Sequence, residues 1–290
     1  MHLISSAAEM TALSKEARRS GKRIGFVPTM GALHAGHISL VRAARAQSDV
    51  VVASIFVNPT QFGPNEDFSK YPRTFDADCA LLEKEQTDYV FHPSVEEMYP
   101  KGATTWVAVE GLSEKLDGRS RPGHFRGVTT VVAKLFNIVQ PDMAFFGQKD
   151  AAQVAIIRKM VRDLDMDVEI VVCPIVREAD GLAMSSRNAY LSPEQRRCAA
   201  VLHRALMRLQ MLMDRGEASS STLIAAGRQV MAEEPAAKLD YFEIVNPETL
   251  DPVGEISGGA LIAVAAWVGS TRLIDNMLVP GTTVLGKTNR

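Results

Sequence analysis

Arg23-Ile24-Gly25-Phe26-Val27-Pro28-Thr29-Met30-Gly31-Ala32-Leu33-His34-Ala35-Gly36-His37 is the stretch that decides the fold. Arg23–Val27 reads as a short, mostly apolar strand, and Gly36–Gln47 carries a helical pattern. The glycine-bearing turn between them is the opening of a βα unit. Outward from it the same grammar repeats. Val50-Val51-Val52-Ala53-Ser54-Ile55-Phe56-Val57 is a nearly continuous apolar run, the signature of a parallel strand covered on both faces. Further strands are expected at Asp88–His92, Ala144–Phe146 and Val168–Val172, with helices at Phe75–Glu85, Gly127–Val139 and Asp150–Asp163. Alternation of this kind predicts an α/β protein with a doubly wound parallel sheet.

Beyond Val176 the pattern changes. Ser192-Pro193-Glu194-Gln195 reads as a helix cap opening a helix to Met213, and a second helix is expected over Ser221–Glu233. Leu239–Val245, Gly259–Val268 and Thr271–Met277 then read as a small antiparallel sheet, with Gly269-Ser270 as a hairpin turn. The expected division is residues 1–176 as a nucleotide- and substrate-binding domain and 177–290 as a smaller α+β domain. A length of 290 residues fits two domains. With 46% hydrophobic residues and a formal net charge of -2, the chain is neither disordered nor built for nucleic acid. No apolar stretch approaches the roughly 20 residues that span a bilayer, and the start Met1-His2-Leu3-Ile4 lacks a signal-peptide pattern. Cys79, Cys173 and Cys198 are odd in number and far apart, as expected of reduced cytoplasmic thiols.

Five segments carry chemistry. His34 and His37 flank Gly36 where a strand feeds a helix N-terminus, the position at which open α/β sheets bind phosphates. A zinc site is not expected there, because no cysteine cluster completes it. Met184-Ser185-Ser186-Arg187 sets two hydroxyls and a guanidinium in one loop, an anion clamp. Gly147-Gln148-Lys149-Asp150 ends another strand; Lys149 suits a polyphosphate, and Asp150 suits either a helix cap or a ribose hydroxyl. Gln153 follows on the same side. Asn58 and Gln61, beyond the Val50–Val57 strand, are neutral amides fit for a small polyol acid, although Asn58-Pro59 also reads as a plain turn. Arg119–Gly127 has two readings, a lid that meets polyphosphate or a solvated basic loop.

Taken in order, the PTMGALHAGH, VNPTQFG, YPRT, RPGHFRGV, FFGQKD and GLAMSSRN stretches resemble the pantoate–β-alanine ligase (pantothenate synthetase) family over nearly the whole chain. The resemblance implies a Rossmann-like N-terminal domain, a smaller C-terminal domain that closes over ATP, and a cytoplasmic homodimer. It implies synthesis of pantothenate from (R)-pantoate, β-alanine and ATP through a pantoyl adenylate, with Mg²⁺ accompanying the nucleotide. On matching positions, Met30, Gly31, Ala32, Leu33, His34, Ala35, Gly36 and His37 bind ATP, with His37 as proton donor. Gly147, Gln148, Lys149, Asp150, Val176, Met184, Ser185, Ser186 and Arg187 also bind ATP. Gln61 contacts pantoate and β-alanine, and Gln153 and Asn58 contact pantoate. Where some relatives carry two acidic residues and a Gln as metal contacts, this chain has Ala77 and Leu81 beside Asp78, so no protein ligand for Mg²⁺ is assigned.

Such a site needs no Ser-His-Asp triad, because a carboxylate nucleophile is already ionised at neutral pH. It needs in-line positioning, neutralisation of phosphate charge and exclusion of water. Val128, Val131, Val132 and Phe56 are candidate apolar walls.

Overall fold

The computed structural model describes residues 1–64 and 66–281. They form two compact units, one of residues 1–177 with 184–186, the other of residues 178–183 with 187 onward. The first unit is built on a six-stranded, all-parallel sheet. Its strands are β1 (His2–Ile4), β2 (Ile24–Thr29), β3 (Val50–Ile55), β4 (Tyr89–Phe91), β5 (Met143–Gly147) and β6 (Glu169–Cys173). Their spatial order is β1-β4-β3-β2-β5-β6. The chain runs outward from β2 in one direction, then returns to continue from its other side. The switch point therefore lies between β2 and β5, where open α/β sheets leave a crevice beyond the strand ends.

Both faces of this sheet are covered, and period-two alternation decides which residue goes where. Val27 and Phe145 join a core with Leu40, Val41 and Ala44 of α2 (Ala35–Gln47). Phe26 and Phe146 point the other way, meeting Phe136 of α6 (His124–Val139) edge-on at ring distances of 6.4 and 6.5 Å. Helix α6 is buried along most of its length, from Phe125 through Ala133 to Val139. The remaining helices of this unit are α1 (Ala7–Arg19), α3 (Phe75–Lys84), α4 (Val95–Met98), α5 (Asp117–Ser120) and α7 (Ala151–Asp163).

Two elements carry too little periodicity to be read from sequence. Strand β1 has three residues, and α1 buries only Met10 and Ser14. The expected strand Val50–Val57 ends at Ile55, because Phe56 and Val57 already lead into the 3-10 turn Pro59–Gln61.

In the second unit, α8 (Pro193–Ala199), α9 (Val201–Met213) and α10 (Ser220–Ala232) pack on the antiparallel sheet β7 (Ala237–Val245), β8 (Ala260–Val268), β9 (Thr271–Val279). The predicted capping box is present: Ser192 Oγ accepts from Gln195 N–H, and Gln195 Oε1 accepts from Ser192 N–H. The helix it opens is interrupted, however. Ala200 at φ -63, ψ -12 is both the end of α8 and the start of α9. Neither Pro nor Gly stands there, and the flanking Cys198, Ala199, Val201 and Leu202 are buried. Val268 pairs with Thr271 across Gly269-Ser270, the hairpin expected.

Phe145 is fully buried at the centre of the sheet. Phe145→Ala is expected to destabilise the protein by about 3–5 kcal/mol, read as a lower midpoint in urea unfolding.

Candidate active site

At the end of β2 the chain must turn sharply away from the sheet. Thr29 Oγ1 donates to Ser54 O at 2.7 Å and accepts from Gly31 N–H at 3.1 Å, which pins the first residue of the turn. Gly31 and Ala32 then both take left-handed conformations, φ 78 and 50. For alanine this is disfavoured by about 1–2 kcal/mol. The turn is held by Asp78, a residue of α3 only 1% exposed. Its Oδ2 accepts from Ala32 N–H and its Oδ1 from Leu33 N–H, each at 2.8 Å. Thr74 Oγ1 donates to Oδ1 as well, at 3.1 Å.

The turn delivers His34 to the N-cap of α2, a position usually held by Ser, Thr, Asp or Asn. His34 Nδ1 accepts from Gly36 N–H at 3.1 Å, and His37 Nδ1 accepts from His34 N–H at 3.3 Å. The rings lie 4.1 Å apart. With each Nδ1 accepting, the neutral rings carry their protons on Nε2. Gly36 is required here, since a Cβ would lie 2.8 Å from the His34 ring. His37 is pushed down to a pKa of about 3, by burial first and then by His34 and Lys149. The positive end of the α2 dipole acts in the same sense. His37 is thus an uncharged hydrogen-bond donor at neutral pH.

Beyond β3, Asn58 caps the Pro59–Gln61 turn and is 1% exposed. Its Oδ1 accepts from Thr60 N–H, Thr60 Oγ1 and Tyr99 Oη, and its Nδ2 donates to Gln61 Oε1 and Gly127 O. Gln61 Nε2 in turn donates to Met30 Sδ at 3.0 Å, a weak acceptor that a ligand oxygen readily replaces. The backbone of Gln61 is held from the other side. His124 Nδ1 lies 2.8 Å from Gln61 O, and Arg121 reaches His124 Nε2 at 3.0 Å. Arg121 forks onto both oxygens of Glu66 at 2.7 and 2.6 Å, holding its carboxyl below the usual range against the opposing effect of burial. The Arg119–Gly127 loop is anchored through its side chains. Arg121 ties the loop to the Gln61 turn, and Arg126 stacks on Trp106 at 4.6 Å.

Beyond β5, Lys149 Nζ and Asp150 Oδ1 lie 3.7 Å apart at the start of α7, and Gln153 is on its first turn. Asp150 occupies the N-cap of α7 but makes no capping hydrogen bond. The 184–186 segment returns to this unit: Met184 N–H donates to Val176 O at 2.9 Å, and Ser186 Oγ to Ala32 O at 3.0 Å. Ser185 lies between them, and Arg187 follows in the second unit. Val128, Val131 and Val132 are core residues of α6. Phe56 lines a cavity of about 390 Å³ together with Met30, Gly31, Phe75, Asp78 and His92. Asp78 as a clasp, Tyr99 and Glu66 are residues that no local sequence signal marks. No cluster of three or more metal-ligating side chains occurs among the described residues.

An open parallel sheet with two imidazoles, an ammonium and a helix N-terminus at its switch point defines a nucleotide-handling α/β enzyme. The pantoate-beta-alanine ligase family model matches residues 2–278. Pantothenate synthetase of Koribacter versatilis (strain Ellin345) is 67% identical over 279 residues, covering 96% of each chain. That of Acidobacterium capsulatum is 70% identical over 261 residues, 90% of this chain and 87% of the other. The crystal structure of the Thermus thermophilus pantothenate synthetase superposes with a TM-score of 0.92 at 48% identity, over 97% of this chain and all of that one. The Francisella tularensis pantoate-beta-alanine ligase complexed with beta-gamma ATP and beta-alanine superposes at 0.78, with 34% identity over 96% of this chain and 97% of that one. The chain belongs to the pantoate–β-alanine ligase family. It is an enzyme that joins pantoate to β-alanine in pantothenate biosynthesis.

Two outcomes are expected of this geometry. A Cβ on Gly127 would lie 2.3 Å from Thr60 O and 2.7 Å from Gln61 Cα. Gly127→Ala should therefore raise KM for pantoate about tenfold or more while KM for ATP stays within twofold, in steady-state assays. For His37, the unfolded ring takes a proton below pH 6.5, whereas the folded ring resists it down to about 3. Stability is lost as pH falls through that window. Urea midpoints of His37→Gln should fall less steeply between pH 6.5 and 4 than those of the wild type; parallel curves would contradict the neutral assignment.

Proposed function

We propose that the ligation proceeds in two steps at the β2–β5 switch point. A pantoate carboxylate oxygen attacks the α-phosphorus of ATP, the bond to the bridging β-phosphate oxygen breaks, and pyrophosphate leaves. The β-alanine amine then attacks the acyl carbon of the pantoyl adenylate, AMP leaves with the linking oxygen, and the nitrogen loses a proton. The observation that carries this reading is the pairing of His34 and His37, both bound through Nδ1 to backbone N–H groups, beside the charge of Lys149. Two Nε2–H donors, an ammonium and the α2 N-terminus supply fixed positive potential where phosphate charge shifts, without reorganisation during the reaction. His37 acts as a neutral donor rather than as an imidazolium.

Gln61 and Gln153 bind pantoate, with Gln61 also reaching β-alanine. Asn58 serves the same pocket by orienting Gln61, since its own amide atoms are engaged with protein groups. Met30–Leu33 line the nucleotide site by shape, because the N–H groups of Ala32 and Leu33 are turned to Asp78. Ala35, Gly36, Gly147, Gln148, Asp150, Val176 and Met184–Arg187 complete the ATP contacts that the family resemblance implies. Mg²⁺ carried by the nucleotide would be held by its phosphates and would supply neutralisation of charge there. The residues around Asp78 do not form a cradle for it: three donors already occupy the Asp78 oxygens, and Ala77 and Leu81 offer none. Metal held by phosphates and water is common for Mg²⁺.

A cytoplasmic homodimer with no nucleic-acid partner completes the proposal. Three unpaired cysteines suit a reducing compartment. Among the described residues no helix is long and apolar enough to cross a membrane.

ATP and pantoate alone should release pyrophosphate and leave a pantoyl adenylate detectable by mass spectrometry on the enzyme. His37→Ala should slow that release by a factor of about 10²–10⁴, and Lys149→Ala should slow it too. Pyrophosphate release that required β-alanine would rule out the two-step order.

A further inference from the structure

We propose that Asp78 is a positioning residue for the nucleotide, a clasp that sets the His34–His37 pair, and that it does not ligate Mg²⁺. The inference rests on the reading of the β2–α2 turn as the ATP site. Asp78 stands 45 or more residues from the turn in sequence, yet both carboxylate oxygens end on it, at 2.8 Å to Ala32 N–H and 2.8 Å to Leu33 N–H. These are the last two amides before the N-cap of α2. The next N–H along, that of His34, goes to His37 Nδ1, and Gly36 N–H goes to His34 Nδ1. Four donors in this turn are therefore assigned, the first two to a carboxylate and the last two to the imidazoles. If the carboxylate were removed, Ala32 would lose what holds it at φ 50, and the direction in which α2 begins would no longer be fixed. Both imidazoles move with that direction.

The surroundings fit a clasp and not a cation site. A carboxylate has about four lone-pair positions, and here two amides and the Thr74 hydroxyl occupy three. Asp78 is 1% exposed and lies in the first turn of α3, where the helix N-terminus stabilises its charge. Asp76, two positions earlier, points elsewhere around the helix and is exposed. Gly31 completes the fit, since a Cβ there would stand 3.0 Å from Asp78 Oδ2 and 3.1 Å from Ile55 Cγ2.

The test is the kinetics of Asp78→Asn and Thr74→Val beside the wild type, with ATP, pantoate, β-alanine and Mg²⁺ each varied in turn. An asparagine keeps one acceptor oxygen but sets an amide N–H against one of the two backbone N–H groups. KM for ATP should rise roughly 10–100-fold in Asp78→Asn, with KM for β-alanine within twofold. The Mg²⁺ concentration for half activation, at saturating ATP, should not change. Thr74→Val, which keeps the Asp78 carboxylate and both of its amide bonds, should raise KM for ATP about two- to fivefold while the protein stays folded, with its thermal midpoint lowered by only a few degrees. Should Asp78→Asn fail to fold, the Thr74→Val result decides. An unaltered KM for ATP, or a raised Mg²⁺ requirement that excess Mg²⁺ overcomes, would overturn the clasp. A wild type that releases no pyrophosphate from ATP and pantoate would instead overturn the two-step reading of the site.

Discussion

Every parallel strand ends by sending its chain away from the sheet, and the backbone N–H groups of that exit must find partners. At β2 the exit is unusually tight, passing through two consecutive left-handed residues before the helix begins. The bonds from Ala32 and Leu33 to the buried Asp78 carboxylate are what such an exit requires. A charged acceptor of two amides is stronger than a neutral one, and its burial is tolerable because every bond it makes is to a fixed group. From this constraint follow the start of α2 and the place of His34 at its N-cap. The site is thus a consequence of how one strand stops.

A second device of the same kind operates beyond β3. Asn58 collects Thr60, Tyr99, Gln61 and Gly127 O, and the backbone of Gln61 is braced by His124. Gly127 lets α6 approach the turn more closely than any side chain would allow. Two loops beyond neighbouring strands are therefore tied by hydrogen bonds within the protein. Such ties matter because both proposed steps rely on positioning more than on acid–base strength. The Gln61 amide, resting on the Met30 sulfur, is the contact most easily exchanged for a substrate oxygen.

Much of this was legible in the sequence, and the missing parts share a cause. Buried parallel strands announce themselves because both faces are apolar, as in Val50–Ile55. The capping box at Ser192 and the Gly269-Ser270 hairpin are local chemistry and could be read directly. The break at Ala200 could not, since alanine favours helix and no breaker stands beside it. Strand β1 and α1 were silent because they bury so little. In the site, His34, His37, Lys149 and Gln61 were marked by their place after strands. Asp78, Tyr99 and Glu66 were not, because each acts on a partner about 40 or more residues away that no spacing rule connects.

The depressed pKa of His37 bears on why histidine serves here rather than lysine or arginine. A second and third permanent charge beside Lys149 would bind a triphosphate more tightly in the ground state, and would hold pyrophosphate equally well after the bond breaks. Only interactions that strengthen at the transition state accelerate the reaction. A neutral Nε2–H, held by its own backbone bond, has its pKa raised as negative charge approaches and its hydrogen bond strengthened with it. Burial at the α2 N-terminus keeps the ring neutral until that charge is present. The same burial favours the unfolded chain as pH falls from 6.5 toward 3, so the feature that tunes the ring to phosphate opposes stability in acid.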